Sequence, residues 1–513
     1  MNEKDLSKMA IMDQSVFQNT KNGKLVIDKD YNLNKAKIVV PKGMTIDLSG
    51  GTINNGSIIF DDTLLEGVGK HDINAYVEGT ISNEEVRMSW FSDVNQVKVK
   101  FANQRVLFDE TIVINTTQIV GNGVTYDGSN NNFICNVTFF SIQGQSNVTI
   151  QNFNAVANAS NIDFVEMPTT AAFSTGIDIN HNIINGFKVG ISLNCENSDY
   201  WVSNCSVTYN QILNAAGSTA GHGYGIHLAN VKDSIISNNI ITNSGRHSIY
   251  HAYGSNNQIL DNVITNHAMS DNTGYTNAAI EVVRHSTDVL IQGNTITNCY
   301  KVGILVYAYP HSHEQDAVNV EGKYGCCENI TIQYNYFNIT NSSINHTFPS
   351  ILLGYLYNGS STPYADFVNY HVNCVKVLYN SFTRLSTENL NCIRVDQCRH
   401  PKIEGNSFSF KPKTTGNTRT IIEIRNTFKN VQALSMTALI SSNLFSEQGV
   451  TSNYTIYCVG ELNSLNNTCY DITVSGNSFM NQYNGSNLNY RTYNPVGITS
   501  YAASNLHLQA EAL

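Results

Sequence analysis

The run Ser244-Gly245-Arg246-His247-Ser248-Ile249-Tyr250-His251 sets an Arg, two His and a Tyr within one short stretch. Two related phrases join it. They are Gly225-Ile226-His227-Leu228 and Ala279-Ile280-Glu281-Val282, the latter continuing into Val283-Arg284-His285. Imidazole, phenol and carboxyl groups within reach of one bond are the groups that move protons in acid–base catalysis. Cations beside them bind carboxylates, and aromatic rings stack on apolar ring faces. The expected catalytic groups are therefore Glu281, His227, His251 and Tyr250. Arg246, His247, Tyr253, Arg284 and Tyr307 are the expected substrate-binding groups. Hydrolysis by two carboxyl groups needs them roughly 5 to 9 Å apart. Only Glu281 falls clearly on this patch, since Asp261 sits beside a corner and faces another side. Proton abstraction and elimination would instead use a His, Arg or Tyr as base and acid, with an Arg neutralising a substrate carboxylate. The competing structural reading is an ordinary cross-strand charge pair, Glu281 between Arg and His on neighbouring strands. Arg394, Asp396, Glu423 and Arg425 read as such a ladder further along.

These groups act together only if the fold stacks them, and a repeat in the sequence does so. The phrase is apolar, any residue, apolar, two residues, Asn, any residue, then Ile, Val or Phe. It reads Ile177-Asp178-Ile179-Asn180-His181-Asn182-Ile183-Ile184 and returns at 289–296 and 472–479. The Asn slot runs through Asn182, Asn210, Asn239, Asn262, Asn294, Asn335, Asn380, Asn406, Asn443 and Asn477. Alternation on either side of a polar corner is the half-buried strand signal. Such short strands bury their inward side chains only when coil stacks on coil, at about 4.8 Å per rung. The corner amides then donate to one neighbour and accept from the other. A second phrase, usually a small residue before an inward Ile, recurs in each coil. Its next residue points outward, because successive strand residues face opposite sides. The resulting outward column is Ser192, His227, Tyr250, Glu281, Leu305, Leu352, Arg394 and Glu423.

On these phrases the chain resembles the right-handed parallel β-helix proteins of the pectate-lyase-like superfamily, over roughly residues 105 to 485. The expected fold is all-β: a single-stranded right-handed parallel β-helix, or solenoid, with an N-terminal β-rich cap. The expected parts are 1–104 as cap or attachment segment, 105–485 as β-helix, and 486–513 as a C-terminal cap or oligomerisation tail. The early segment, with Lys37-Ile38-Val39-Val40-Pro41-Lys42-Gly43 and Val86-Arg87-Met88-Ser89-Trp90-Phe91-Ser92, resembles the lead-in of bacteriophage tail-spike proteins. The helical loop that often follows there is missing or shortened at Asp93-Val94-Asn95-Gln96. The Asp clusters that hold calcium in pectate lyases are not evident, so no cofactor is expected, calcium being the ion the resemblance would bring.

Composition narrows the classes further. A net charge of −10 and a pI near 5.8 argue against a nucleic-acid partner. No eighteen-residue apolar run suggests a membrane span, and Met1–Lys8 does not open a secretory signal. That start implies either trimming or release by lysis or within an assembled particle. Eleven cysteines without a C-x-x-C pair suggest buried, reduced thiols rather than disulfides or zinc. The loop Tyr309-Pro310-His311-Ser312-His313-Glu314 is a weak metal candidate, and no metal is expected. Loops at 267–278 and 309–325 are long enough to wall a groove.

The expected function is a tail-spike-like protein that binds, and as an enzyme would depolymerise, a bacterial surface polysaccharide. The resemblance implies a homotrimer in the virion or outside the cell. The alternatives are a bacterial polysaccharide lyase or glycoside hydrolase acting on acidic glycan, and a non-catalytic glycan-binding adhesin.

Overall fold

The computed structural model describes residues 6–20, 22–168, 173–195, 200–217, 221–267, 277–308, 327–339, 348–354, 372–384, 391–396, 398–410, 419–426, 436–447, 455–463, 470–481, 487–492 and 500–501. The chain divides into two compact units, Met1–Gly186 and Phe187–Leu513. Among the described residues every strand pairing is parallel, and the helical elements are three short 3₁₀ turns. No helix among them is long and apolar enough to cross a membrane.

In the first unit, parallel coils begin well before residue 105. The fourteen-residue strand Ile53–Glu66 pairs with Ile73–Ile81 through two register shifts. Glu85–Arg87 then pairs with Arg105–Leu107, which pairs with Thr125–Asp127. The Trp-containing element forms a 3₁₀ turn, Met88–Trp90, anchored by the Asp109 carboxylate, which accepts from the Ser89 amide and hydroxyl. Asp93 caps a second turn, Val94–Gln96, by accepting from the Asn95 amide. The interior is aromatic: Phe108, Phe133, Phe139, Phe140, Phe153 and Phe164 are buried against one another.

In the second unit the coils supply strands to three long parallel columns that rise together, and some add a short fourth strand such as Val231–Lys232. The first column includes Ile235–Ser237, Gln258–Leu260 and Leu290–Gln292. The second includes Ile240–Thr242, Val263–Thr265 and Thr295–Thr297. The corner between them is the Asn ladder that the sequence predicts. Asn262 Nδ2 donates to Asn294 Oδ1 at 2.9 Å, and Asn294 Nδ2 donates to Asn335 Oδ1 at 2.9 Å. The pattern holds from Asn210 to Asn477, with each backbone amide donating to the same oxygen. Two residues past the Asn, Phe337, Phe382, Phe408 and Phe445 stack face to face at 4.8 to 4.9 Å.

The third column runs through Val189–Asn194, Tyr224–Ala229, Ile249–Ala252, Ala278–Val283, Val302–Tyr307, Ile351–Gly354 and Ile393–Asp396. A Cβ on Gly225 would fall 2.6 Å from the Ser248 carbonyl oxygen and 2.8 Å from the Ile241 side chain. That close approach explains the small residue before the inward Ile. Cys195, Cys205, Cys299 and Cys392 are buried free thiols, as expected, whereas Cys374 is only partly buried.

Candidate functional site

The third column positions its side chains in the expected register. Ser192 aligns with His227, His227 with Tyr250, Tyr250 with Glu281, and Glu281 with Leu305. The series continues through Leu352 and Arg394 to Glu423. Residues far apart in sequence therefore sit one rung from each other.

One expectation changes. These side chains point away from the coil interior, yet they are not exposed. His227 is 7% accessible, Tyr250 7% and Glu281 1%. Tyr224, Tyr250, Val283, Leu305, Tyr307 and Leu352 form an apolar cluster on this outer side, with Phe348 and Tyr253 packed against it. Strand alternation fixes which way a side chain points, not whether water reaches it. The face is a covered layer rather than an open groove.

Within this layer the groups touch. His247 Nδ1 lies 3.0 Å from Glu281 Oε2, both almost fully buried. The same Nδ1 accepts from the Ala278 amide at 3.2 Å. The Tyr307 hydroxyl donates to the Glu281 carboxyl group. Tyr224 stacks on Tyr250 at 5.4 Å and meets His227 and His247 edge-on at 5.2 and 5.0 Å. Arg246 donates from Nη1 to the Tyr224 hydroxyl at 3.1 Å and from Nε to Asn277 Oδ1 at 3.2 Å.

Burial sets the protonation states. It pushes His227 down to about 3, helped by His247 and Lys188, so the ring is neutral near pH 7. Burial, with Glu281 adding to it, holds Tyr250 and Tyr307 well above the usual phenol range. The layer thus offers a neutral imidazole and neutral phenols around one carboxyl group. Among its described residues it holds no second carboxylate beside Glu281.

His251 does not belong to it. The residue aligns with the inward Leu228 and Val282 and is fully buried inside the coil. Its Nε2 accepts from Asn257 Nδ2 at 2.8 Å and its Nδ1 pairs with Ser286 Oγ at 3.1 Å. Burial lowers it to about 4. The structure thus places His251 inside the coil and not on the outer patch expected of it; the same alternation that sends Tyr250 outward turns its neighbour inward.

The proposed binding groups divide. Arg246 and His247 join the layer, and Tyr307 is buried in it. Arg284 lies over the Tyr253 ring at 5.6 Å, both partly buried at its margin. Sequence reasoning missed Tyr224 and Asn277. Strict alternation from Ile226 would send Tyr224 inward, whereas its ring packs on Tyr250. Further along, Arg394 pairs with Asp396, as the charge-ladder reading expects; the side chain of Arg425 lies outside the described residues. So do the His311–His313–Glu314 loop and most of the loops proposed as groove walls. Among the described residues no three His, Cys, Asp or Glu groups gather as metal ligands.

Comparison with known proteins bears on the fold. A family model described as "Right handed beta helix region" matches residues 129–311 and 202–348. No curated protein sequence matches the chain. Among solved structures the chain is similar to the ORF18 protein of Geobacillus virus E2, at 11% identity and a TM-score of 0.38, covering 71% of this chain and 55% of that one. It is similar to the catalytic unit of a GH87 alpha-1,3-glucanase from Streptomyces thermodiastaticus, at 14% identity and a TM-score of 0.35, covering 76% and 64%. A third is the A-module of a mannuronan C-5 epimerase from Azotobacter vinelandii, at 12% identity and a TM-score of 0.37, covering 76% and 89%. The chain spans less than two thirds of the first two proteins' lengths. At these identities and TM-scores none of them speaks to what this chain acts on. The stacked parallel coils and the matched region together show the fold, a right-handed parallel β-helix.

Proposed function

We propose that the chain is a tail-spike-like protein that binds a bacterial surface polysaccharide along the outer side of the third column. The observation that carries this reading is the contact cluster of His227, Tyr250, Glu281, Tyr224, His247 and Arg246, assembled from separate coils. A neutral imidazole accepts a proton and a neutral phenol gives one. That pairing suits lyase-type cleavage of a uronate better than hydrolysis by two carboxyl groups. In such a step the base takes the proton next to the carboxylate, the bond to the leaving oxygen breaks as the double bond forms, and the acid protonates that oxygen. The lead-in resemblance supports assembly as a homotrimer in a virion.

Burial favours a second reading. With His227, Tyr250, His247 and Glu281 each under a tenth exposed, the layer also suits an outer core that stiffens a non-catalytic adhesin. One experiment separates the two. The protein is incubated with purified bacterial capsular polysaccharides, and retention, ultraviolet absorbance and new reducing ends are followed. Absorbance from an unsaturated uronate supports the lyase, and retention without product supports the adhesin. Absence of both retention and product across acidic and neutral capsules would overturn the glycan reading.

A further inference from the structure

The corner between the first and second columns carries aromatic rings that the third-column layer does not use. The residue just before each ladder Asn takes a left-handed backbone conformation. Asn238, Asp261, Gly293 and Gly405 hold that place with φ of 56°, 53°, 69° and 67°. Those residue types enter this region readily, and a bulky aromatic there is an outlier. Yet Tyr334 and Tyr379 sit in it with φ of 55° and 54°. An unfavourable backbone that persists points to a use for the side chain it presents.

Burial is not that use. Tyr334 is 57% exposed and Tyr379 49%. Their rings stack at 5.4 Å with planes 13° apart, on consecutive rungs. A Cβ on Gly405 would fall 2.4 Å from the Tyr379 ring, so that ring lies over the glycine. Tyr379 thus lies between the Tyr334 ring and Gly405, and the pair is open to solvent along its edges and at the far side of the Tyr334 ring.

The surroundings select a ligand class. Gln333 donates to Gln292 at 2.6 Å beside the pair. Asp261 places its carboxylate where a Gly293 side chain would stand, one rung below Tyr334. Glu404 lies next to Gly405. Carboxylates and amides accept hydrogen bonds from hydroxyls, and the Asp261 carboxylate disfavours a sugar bearing its own carboxylate, Glu404 being paired with Lys402. Tyr209, 54% exposed, occupies the same corner four rungs away, about 19 Å along the stack.

We propose that Tyr334 and Tyr379 form a stacking platform for a neutral glycan chain lying along this corner. The inference rests on the reading of the protein as glycan-binding and on none of the third-column residues.

Affinity electrophoresis tests it, in gels carrying dextran or mannan as neutral hexose polymers, or polygalacturonate as a hexuronate polymer. The wild-type chain is expected to be retarded by a neutral polymer. Y334N and Y379N should each weaken that retardation about tenfold, the loss typical of an aromatic contact residue. Both substitutions place a left-handed-tolerant residue on the corner, so the melting temperature should stay near the wild-type value. Equal retardation of wild type, Y334N and Y379N by a neutral polymer would overturn the platform and leave the third-column reading standing. Retardation by polygalacturonate alone would overturn the neutral-ligand assignment. No retardation in any gel would remove the platform, while capsule retention would still judge the wider glycan reading.

Discussion

His247 Nδ1 and Glu281 Oε2 face each other at 3.0 Å with almost no solvent contact, joined across two rungs of the third column. Truncating one partner leaves the other buried and uncompensated. Glu281→Ala is expected to destabilise the protein by about 3–5 kcal/mol. Glu281→Gln keeps the shape and one acceptor and should cost less. Urea midpoints of the two variants check the order. Equal midpoints for wild type and Glu281→Ala would mean the contact contributes nothing.

Stability should fall as the pH is lowered from 6.5 towards 4. Burial holds His227 at about 3 and His251 at about 4, below the ordinary 6.5. The unfolded chain therefore takes up protons in this window while the folded chain does not, and stability is lost as pH falls. Above 6.5 the effect vanishes. Each ring accounts for about 3 kcal/mol by pH 4. Thermal unfolding between pH 7.5 and 4.5, repeated with His251→Asn, should show a shallower slope in the variant. An unchanged slope would contradict the neutral buried state of His251.

Asn294 accepts from the Asn262 amide and side chain and donates to Asn335 and to the Ile259 carbonyl. Asn294→Ala removes all of these at once and strands donors in a dry corner. A loss of about 2–4 kcal/mol is expected, because each unsatisfied buried group costs about 1–3 kcal/mol. Asn294→Ala with the stability of wild type would show that the ladder is decorative.

Thiol chemistry should be slow in the native state. Burial pushes Cys392 up to about 11 and Cys135 up to about 12. Cys374 is partly exposed and should react with a chromogenic disulfide reagent before the buried thiols. Denaturant should release the rest. Prompt reaction of Cys135 or Cys392 in the native protein would contradict the packed coil interiors.

The parts of this structure that obey a period were legible in the sequence. The Asn ladder and the register of Ser192, His227, Tyr250, Glu281, Leu305 and Leu352 follow from a repeat that allows one stacking. Alternation could not report cover. Leu305 and Leu352 on the outward column were the signal that this face is roofed, since large aliphatic residues rarely line a wet sugar groove in succession. His251 went astray because it adjoins Tyr250 in sequence while facing the other side of the strand. Tyr224 was missed because it stands where the regular alternation of its strand has not yet begun. The left-handed Tyr334 and Tyr379 carry no sequence mark apart from their place before the Asn.

The account holds that the outer side of the third column meets glycan. Co-crystallisation with oligosaccharides cut from a capsule that the protein retains tests this directly. The expected result is a sugar unit at the outer side of the third column, in contact with Arg246, Tyr253 or Arg284. A complex in which every sugar lies on another face would contradict the claim.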